Sequence, residues 1–403
     1  MPWKVSQPMD ERMKFIGRLL AGEKMTDLCQ EFGISRKTGH KFLARYEAFG
    51  PEGLVDQSRR PRKQARQTAT EIERLIVDLR EVHPTWGPKK LKERLETLHP
   101  GLKFPAASTV GDILVRFGLI KDRRRRPIEE RFESKALGLT ASETPNDVWC
   151  TDFKGQFRLS NGQYCYPLTT TDFASRYLLG SDALASTHAA PARASFEALF
   201  DEFGLPLVIR SDNGTPFSAR GYGGLSELSA YWMSLGIRPE RTQPSHPEQN
   251  GRHERMHRVL KAEATRPASP HLMHQQERFD EFRRVYNEER PHEALDQRTP
   301  ASGYERSPRS LADAQRFARD YPMHDYSRLV NGSGSVTVNG HQIFLATALR
   351  GQTVGLRDLG GGVFLIGLGP FDLGYADLKN KRLVPDDPTT ELDDDGTENL
   401  SPM

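Results

Sequence analysis

Val148-Trp-Cys-Thr-Asp-Phe-Lys-Gly-Gln-Phe-Arg-Leu159 alternates as a strand does, Ser160-Asn-Gly-Gln163 supplies a tight hairpin turn, and Tyr164-Cys-Tyr-Pro-Leu-Thr-Thr-Thr171 runs on as a second strand. Ser175–Leu179 reads as a third. Thr187 then starts a helix through Phe203, with Pro191 tolerable only in its first turn. Gly204-Leu-Pro206 stops that helix, and Leu207-Val-Ile-Arg-Ser211 is a short apolar strand ending at Asp212. More helical sequence follows. Three antiparallel strands, a helix, a strand and further helix predict an α/β domain over 141–302, of the ribonuclease-H-like kind.

The chain before this domain reads as helices. Asp10 to Leu20 is amphipathic, with Met13, Ile16, Leu19 and Leu20 on one face. Thr26 is placed to cap a second helix, Gly33 to make a turn, and Ser35 to cap a third helix running to Tyr46. Helix, short glycine turn, helix is a helix-turn-helix pattern, assigned here to 1–58. It sets Arg36, Lys37, Thr38, His40 and Lys41 where a recognition helix meets the major groove. A second module of the same plan spans 68–120: a helix over 69–83, another from the Trp86-Gly-Pro-Lys-Lys-Leu91 segment to Leu98, and a third capped by Ser108. Basic linkers follow each module, 59–67 with Arg59, Arg60, Arg62 and Lys63, and 121–140 with Arg123, Arg124, Arg125 and Arg126.

Composition agrees with a polyanionic partner. The net charge of +3 is unevenly spread. Through Lys135 there are 29 Lys and Arg against 19 Asp and Glu, and from Asp386 to Met403 seven acids and no base. A basic third of this kind is the footprint of nucleic acid. The three cysteines, Cys29, Cys150 and Cys165, form no Cys-x-x-Cys pair, which excludes a disulfide framework and argues against structural zinc. No apolar run reaches a membrane span and Met1-Pro-Trp-Lys-Val-Ser carries no signal core, so the expected place is the cytoplasm, associated with the nucleoid. After a connector at 303–330, short strands between glycine turns (335–338, 342–345, 353–356, 363–366 and 371–378) predict a small β-barrel at 331–385. An acidic, disordered tail is expected over 386–403.

Three carboxylates carry the chemistry. Asp152 lies mid-strand, where Asp is depleted unless it faces a partner. Asp212 follows an apolar strand, and the third acid is Glu248 or Glu254. Glu248 falls in Pro244-Ser-His-Pro-Glu-Gln-Asn-Gly251, a stretch with two prolines and no helical period. Glu254 lies one turn into a basic helix to about Ala264, with His257, Arg258 and Lys261 assigned to its face. We therefore assign Glu254. Two such charges ~4 Å apart repel by about 4 kcal/mol at an effective dielectric of about 20, a penalty that divalent cations remove. Asp172 is read as a strand end, Cys150 and Trp149 as packing, and Asn287, Arg290 and His292 as domain packing. His246, Asn250 and His253 are read either as ordering the loop or contacting a scissile strand, or as simple loop caps.

Trp149-x-x-Asp-Phe153, Ser211-Asp-Asn-Gly-x-x-Phe217 and Pro244-x-x-Pro-x-x-Asn-Gly-Arg-x-Glu-Arg-x-His-Arg-x-Leu-Lys261 together resemble the integrase-core transposases of bacterial insertion sequences, relatives of retroviral integrases. The resemblance implies Asp152, Asp212 and Glu254 as the catalytic, metal-holding acids, and Arg258 and Lys261 as DNA contacts. It implies two Mg²⁺ (or Mn²⁺) ions, cleavage of element ends, transfer of the freed 3′ hydroxyl to target DNA, and at least a dimer on double-stranded DNA. The sequence departs from the family in two ways. Forty-one residues separate Asp212 from Glu254 rather than the usual thirty-five, and helix-turn-helix units replace the His/Cys zinc module of retroviral integrases. Two other readings are a DNA-binding repressor with an inactive core and a ribonuclease-H-like nuclease that cuts without joining.

Overall fold

The computed structural model describes residues 8–56, 68–120, 139–219, 224–242, 251–317 and 321–385. The basic runs at 59–63 and 123–126, His246, Glu248, Asn250 and the acidic tail lie outside the described residues. The chain divides into two compact units, 1–68 and 69–403.

The first unit holds α1 (Pro8–Leu20), α2 (Met25–Glu31) and α3 (Arg36–Phe49), closed by a 3-10 turn at Gly50–Leu54. Phe15, Ile16, Leu28, Cys29 and Leu54 form its core, with Leu19, Phe42 and Leu43 half-buried against them. The expected inward face of α1 is thus turned by one position. Phe15 takes the place assigned to Met13, and Leu20, at the helix end, is 61% exposed. Thr26 is not the cap, because α2 begins two residues earlier than expected, after Lys24. Ser35 does cap α3, its Oγ accepting from the Thr38 N–H at 3.2 Å. Gly39 is where α2 and α3 touch: a Cβ there would lie 2.7 Å from Cys29 Sγ and 2.8 Å from Met25 Sδ.

The second unit opens with α4 (Thr70–Val82), α5 (Pro88–Leu98) and α6 (Ala107–Arg116), packed around Ile76, Trp86, Leu91, Leu95, Phe104 and Val110. Ser108 lies inside α6, which Ala106 precedes without a side-chain cap.

The α/β domain follows as β1 (Val148–Phe153), β2 (Phe157–Arg158), β3 (Tyr164–Asp172), β4 (Leu178–Leu184), α7 (Ala189–Phe203), β5 (Val208–Ser211), α8 (Glu227–Ser234), β6 (Arg238–Arg241), α9 (Gly251–Glu263) and α10 (Leu272–Arg284). In the sheet β3 pairs with β1, β2 and β4, all antiparallel, while β1–β5 and β5–β6 are parallel. α7 makes the crossover that brings β5 in beside β1. One face buries Trp149, Phe196, Phe200 and Trp232 under α7 and α8. The other buries Cys165, Leu178, Met256, Leu260 and Phe279 under α9 and α10. Strand alternation puts Cys150 and Asp152 on the α9 side, opposite to Trp149. β6 was not foreseen, since Arg-Pro-Glu-Arg has no strand-like alternation.

α10 runs into a π turn at Val285–Glu289, and the helical module α4–α6 docks there. Arg94 pairs with Glu289 at 3.1 Å, Lys89 with Glu293 at 3.1 Å, and Lys90 donates to the Pro291 carbonyl. The Arg290 guanidinium sits 5.9 Å over the Trp86 ring and 2.8 Å from Glu263. The Lys89–Lys90 pair therefore faces the protein.

α11 (Leu311–Phe317) leads to β7 (Tyr326–Leu329), β8 (Ser335–Val338), β9 (His341–Phe344), β10 (Thr353–Gly360), β11 (Val363–Leu368), β12 (Phe371–Asp377) and β13 (Arg382–Val384). They form one sheet in the order β7-β10-β11-β12-β13-β9-β8, whose end strands return beside each other to make a nearly closed barrel. Two strands exceed the five expected. β7 and β13 are only four and three residues long and carry mostly exposed or half-buried side chains.

Candidate active site

Asp152 stands opposite Thr169 in the β1–β3 register. Asp212 follows β5 directly, and its Oδ1 accepts the Gly214 N–H at 3.0 Å, the short turn that Asp-Asn-Gly favours. Glu254 is exposed in the first turn of α9. The Asp152 carboxyl is pushed up to about 7, first by burial and then by the negative charge of Asp212. Glu254 adds to the rise, while the Phe153 N–H and Lys154 oppose it. The fold thus brings the three sequence-predicted acids into one electrostatic field. They are not drawn into a finished cage: among the described residues, no three His, Cys, Asp or Glu side chains are grouped to hold an ion. Chemically the set fits a hard divalent cation, because every donor is a carboxylate oxygen and the buried member carries charge repulsion that a cation relieves.

His257 departs from expectation. It turns inward, away from the exposed Glu254, Arg258 and Lys261, and its Nδ1 lies 3.9 Å from Asp152 Oδ2. The reason is a hydroxyl that sequence reasoning missed. Thr169 Oγ1 donates to the Asp152 carbonyl at 3.1 Å and meets His253 Nε2 at 2.8 Å and His257 Nε2 at 2.7 Å. A hydroxyl has one proton. With it given to the carbonyl, both imidazoles must donate from Nε2, which leaves both Nδ1 atoms as acceptors. His253 Nδ1 receives the Thr171 hydroxyl at 3.1 Å. Burial drives the rings down to about 3 (His253) and about 2 (His257), so both are neutral. The legible signal was two histidines at i and i+4 on one helix, opposite threonines at i and i+2 on one strand.

The remaining candidates fall into place around this site. Asp172, 1% exposed, accepts from the Asn146 N–H at 2.8 Å and from the Ser175 N–H and Oγ at 2.7 and 2.6 Å, so it ties the β3–β4 turn. Cys150 is buried, with its thiol pushed up to about 12, and is inert. Asn287 clamps the backbone of Leu178 from both sides, at 2.8 and 2.9 Å. On α3, Arg36, Lys37, His40 and Lys41 are exposed and Thr38 is half-buried against the Ser35 cap.

An integrase core domain matches residues 142–247, and a second family of the same description matches 235–300. A helix-turn-helix domain matches 11–62 and a homeodomain-like domain 38–114. The relatives include the uncharacterized 39.2 kDa protein of insertion element IS476 from Xanthomonas euvesicatoria. It is 25% identical over 290 residues, covering 70% of this chain and 78% of that protein. The uncharacterized 31.7 kDa protein of insertion element IS407 from Burkholderia multivorans is 28% identical over 207 residues, or 49% and 68%. These matches support the reading of the chain as a transposase of a bacterial insertion sequence with an integrase core. Solved structures similar to this transposase include the magnesium-bound HTLV-2 integrase catalytic core, at 16% identity and TM-score 0.33, covering 40% of this chain and 98% of that one. A chain of the simian T-cell lymphotropic virus intasome in complex with the PP2A regulatory subunit B56 gamma has 15% identity and TM-score 0.35, covering 74% of this chain and 97% of that one. Among the described residues of the transposase, no helix is long and apolar enough to cross a membrane.

Proposed function

We propose that this transposase cleaves the ends of its insertion element and joins the freed 3′ hydroxyls to target DNA, with Asp152, Asp212 and Glu254 holding two Mg²⁺ or Mn²⁺ ions. The observation that carries the reading is the Asp152 carboxyl, held half-buried on β1 and raised to about 7, first by that burial and then by the charge of Asp212, with a smaller push from Glu254. Such a group is unfavourable to ionise in a bare protein and well suited to a cation. When bound, the ions would supply Lewis acidity at the scissile phosphate and at the attacking and leaving oxygens.

The protein's own residues supply position. The β1–β3 ladder fixes the backbone of Asp152, the Asp-Asn-Gly turn fixes Asp212, and the Thr169–His253–His257 contacts pin α9, and hence Glu254, against β3. Arg258 and Lys261, exposed along α9, are assigned to backbone phosphates of the DNA. The exposed α3 face, Arg36 to Lys41, is assigned to the element end. Paired cutting of two ends calls for at least a dimer on double-stranded DNA.

The test is incubation of the full chain with an element-end duplex and a plasmid target in Mg²⁺ or Mn²⁺. Joined products are the expected outcome. Binding without products would return the repressor reading, and cleavage without joining the nuclease reading.

A further inference from the structure

Arg176 stands apart from the guanidiniums of this chain that meet a carboxylate, or, as Arg80 and Arg309 do, backbone carbonyls. Arg94 faces Glu289, Arg210 faces Glu240 at 2.6 Å, and Arg290 faces Glu263. Arg176, half-buried in the turn between β3 and β4, makes no ion pair among the described residues, and neither does the exposed Arg255. The charged groups that bear on Arg176 are Arg252 and Arg255, both of its own sign, and the neutral phenol of Tyr286. Arg252 is held in place by the Phe173 ring, 4.0 Å from its guanidinium, and by the Phe173 carbonyl at 3.1 Å. Arg176 and Arg252 share a small recess with Thr171, Asp172, Phe173 and Tyr286 at the start of α9, where the first-turn N–H groups add positive potential; the Asp172 oxygens are taken by the Asn146 N–H and by Ser175. Glu254 lies between Arg252 and Arg255 on that same turn.

A half-buried guanidinium that pairs with no carboxylate among the described residues and has like charges beside it, as Arg176 does, is unfavourable unless an anion completes the site. The planar guanidinium fork matches the two free oxygens of a phosphodiester, and bonds of this kind are the strong class. We propose that Arg176, Arg252 and Arg255 form a phosphate seat that grips a DNA backbone beside Glu254. The identity of the anion as DNA rests on the transposase reading above; the seat itself does not.

Arg176 offers an unusually clean test, because its φ of +63° is a conformation that glycine adopts more readily. Arg176→Gly removes the guanidinium while easing the turn, so the variant is expected to fold. Binding of a labelled element-end duplex to the full chain is measured against salt for the wild type, Arg176→Gly, Arg176→Lys and Asp152→Asn, and joining to plasmid is followed with an end supplied already cut. Arg176→Gly should lower the slope of log affinity on log salt by about 0.9 and weaken binding roughly tenfold. Arg176→Lys should keep the slope and recover part of the affinity. A changed end-duplex slope assigns the phosphate to the element. An unchanged slope with slowed joining of the pre-cut end assigns it to the target strand. Wild-type slope and wild-type joining in Arg176→Gly, or a loss that Arg176→Lys does not relieve at all, overturns the seat. Joining that survives Asp152→Asn would instead overturn the catalytic assignment and leave the seat standing.

Discussion

Glu254 is the residue on which the catalytic assignment turns, and its exposure makes it a clean target. Glu254→Gln is expected to abolish joining while end binding survives, whereas Glu248→Gln should be nearly silent; gel assays of binding and joining on the same preparations decide between them. Acidity gives a second handle. His253 and His257 have native values of about 3 and 2 against an ordinary 6.5, so below 6.5 the unfolded chain binds protons that the native one refuses. Their contribution is complete above 6.5 and is lost as pH falls. Asp152 works the other way: at about 7 against 3.8, it favours the fold at low pH and loses that contribution as pH rises toward 7. Two histidines outweigh one carboxylate, so metal-free protein should weaken on acidification from pH 6.5 to 5. Asp152→Asn should steepen that loss. Urea melts at the two pH values measure both, and equal slopes in the two proteins would refute the linkage.

At the scale of elements, Gly39 sets how closely α2 and α3 pack. Gly39→Ala should cost the first unit ~1–3 kcal/mol by overpacking against Cys29 and Met25, and Ser35→Ala about 1 kcal/mol through the lost cap. Thermal unfolding reads both, and an unchanged midpoint in Gly39→Ala would mean the helices separate freely. These positions also show what was legible. Ser35 was readable because a cap is a local rule, and the succession of antiparallel strands, helix and strand because alternation and turn residues agree there. The single strand expected over Val148–Leu159 is nonetheless broken into β1 and β2, and the one expected at Ser175–Leu179 runs over Leu178–Leu184. The inward turn of His257 was not. Three residues beyond Glu254 is compatible with either side of the helix, and the choice is made by Thr169, distant in sequence. Lys89 and Lys90 were equally opaque, since a basic pair looks the same whether it meets phosphate or Glu293 and a carbonyl. The three acids were assigned from their motifs, whereas the rise of Asp152, through burial first and then the charges of the other two, is a property of the folded sheet.

For the whole molecule, the decisive join is between α4–α6 and the catalytic domain. Arg290→Ala would leave Glu263 without its cationic partner at a largely buried contact, with only the Thr85 hydroxyl donating to it among the described residues, and would remove the cation from Trp86. A cost of ~3–5 kcal/mol is expected, with earlier proteolysis between α6 and β1 as the sign that the module has come loose. An unaltered melt and cleavage pattern would show that the join contributes little. The homeodomain-like match ends within α6, in the module that these contacts fix to the catalytic domain; were that module to read base pairs, reader and cutter would be bolted together. A bolted reader works as a ruler. The distance from recognised bases to the cleaved bond is then set by protein rather than by slack tether, and one extra base pair, about 3.4 Å along the duplex, carries the bond out of register.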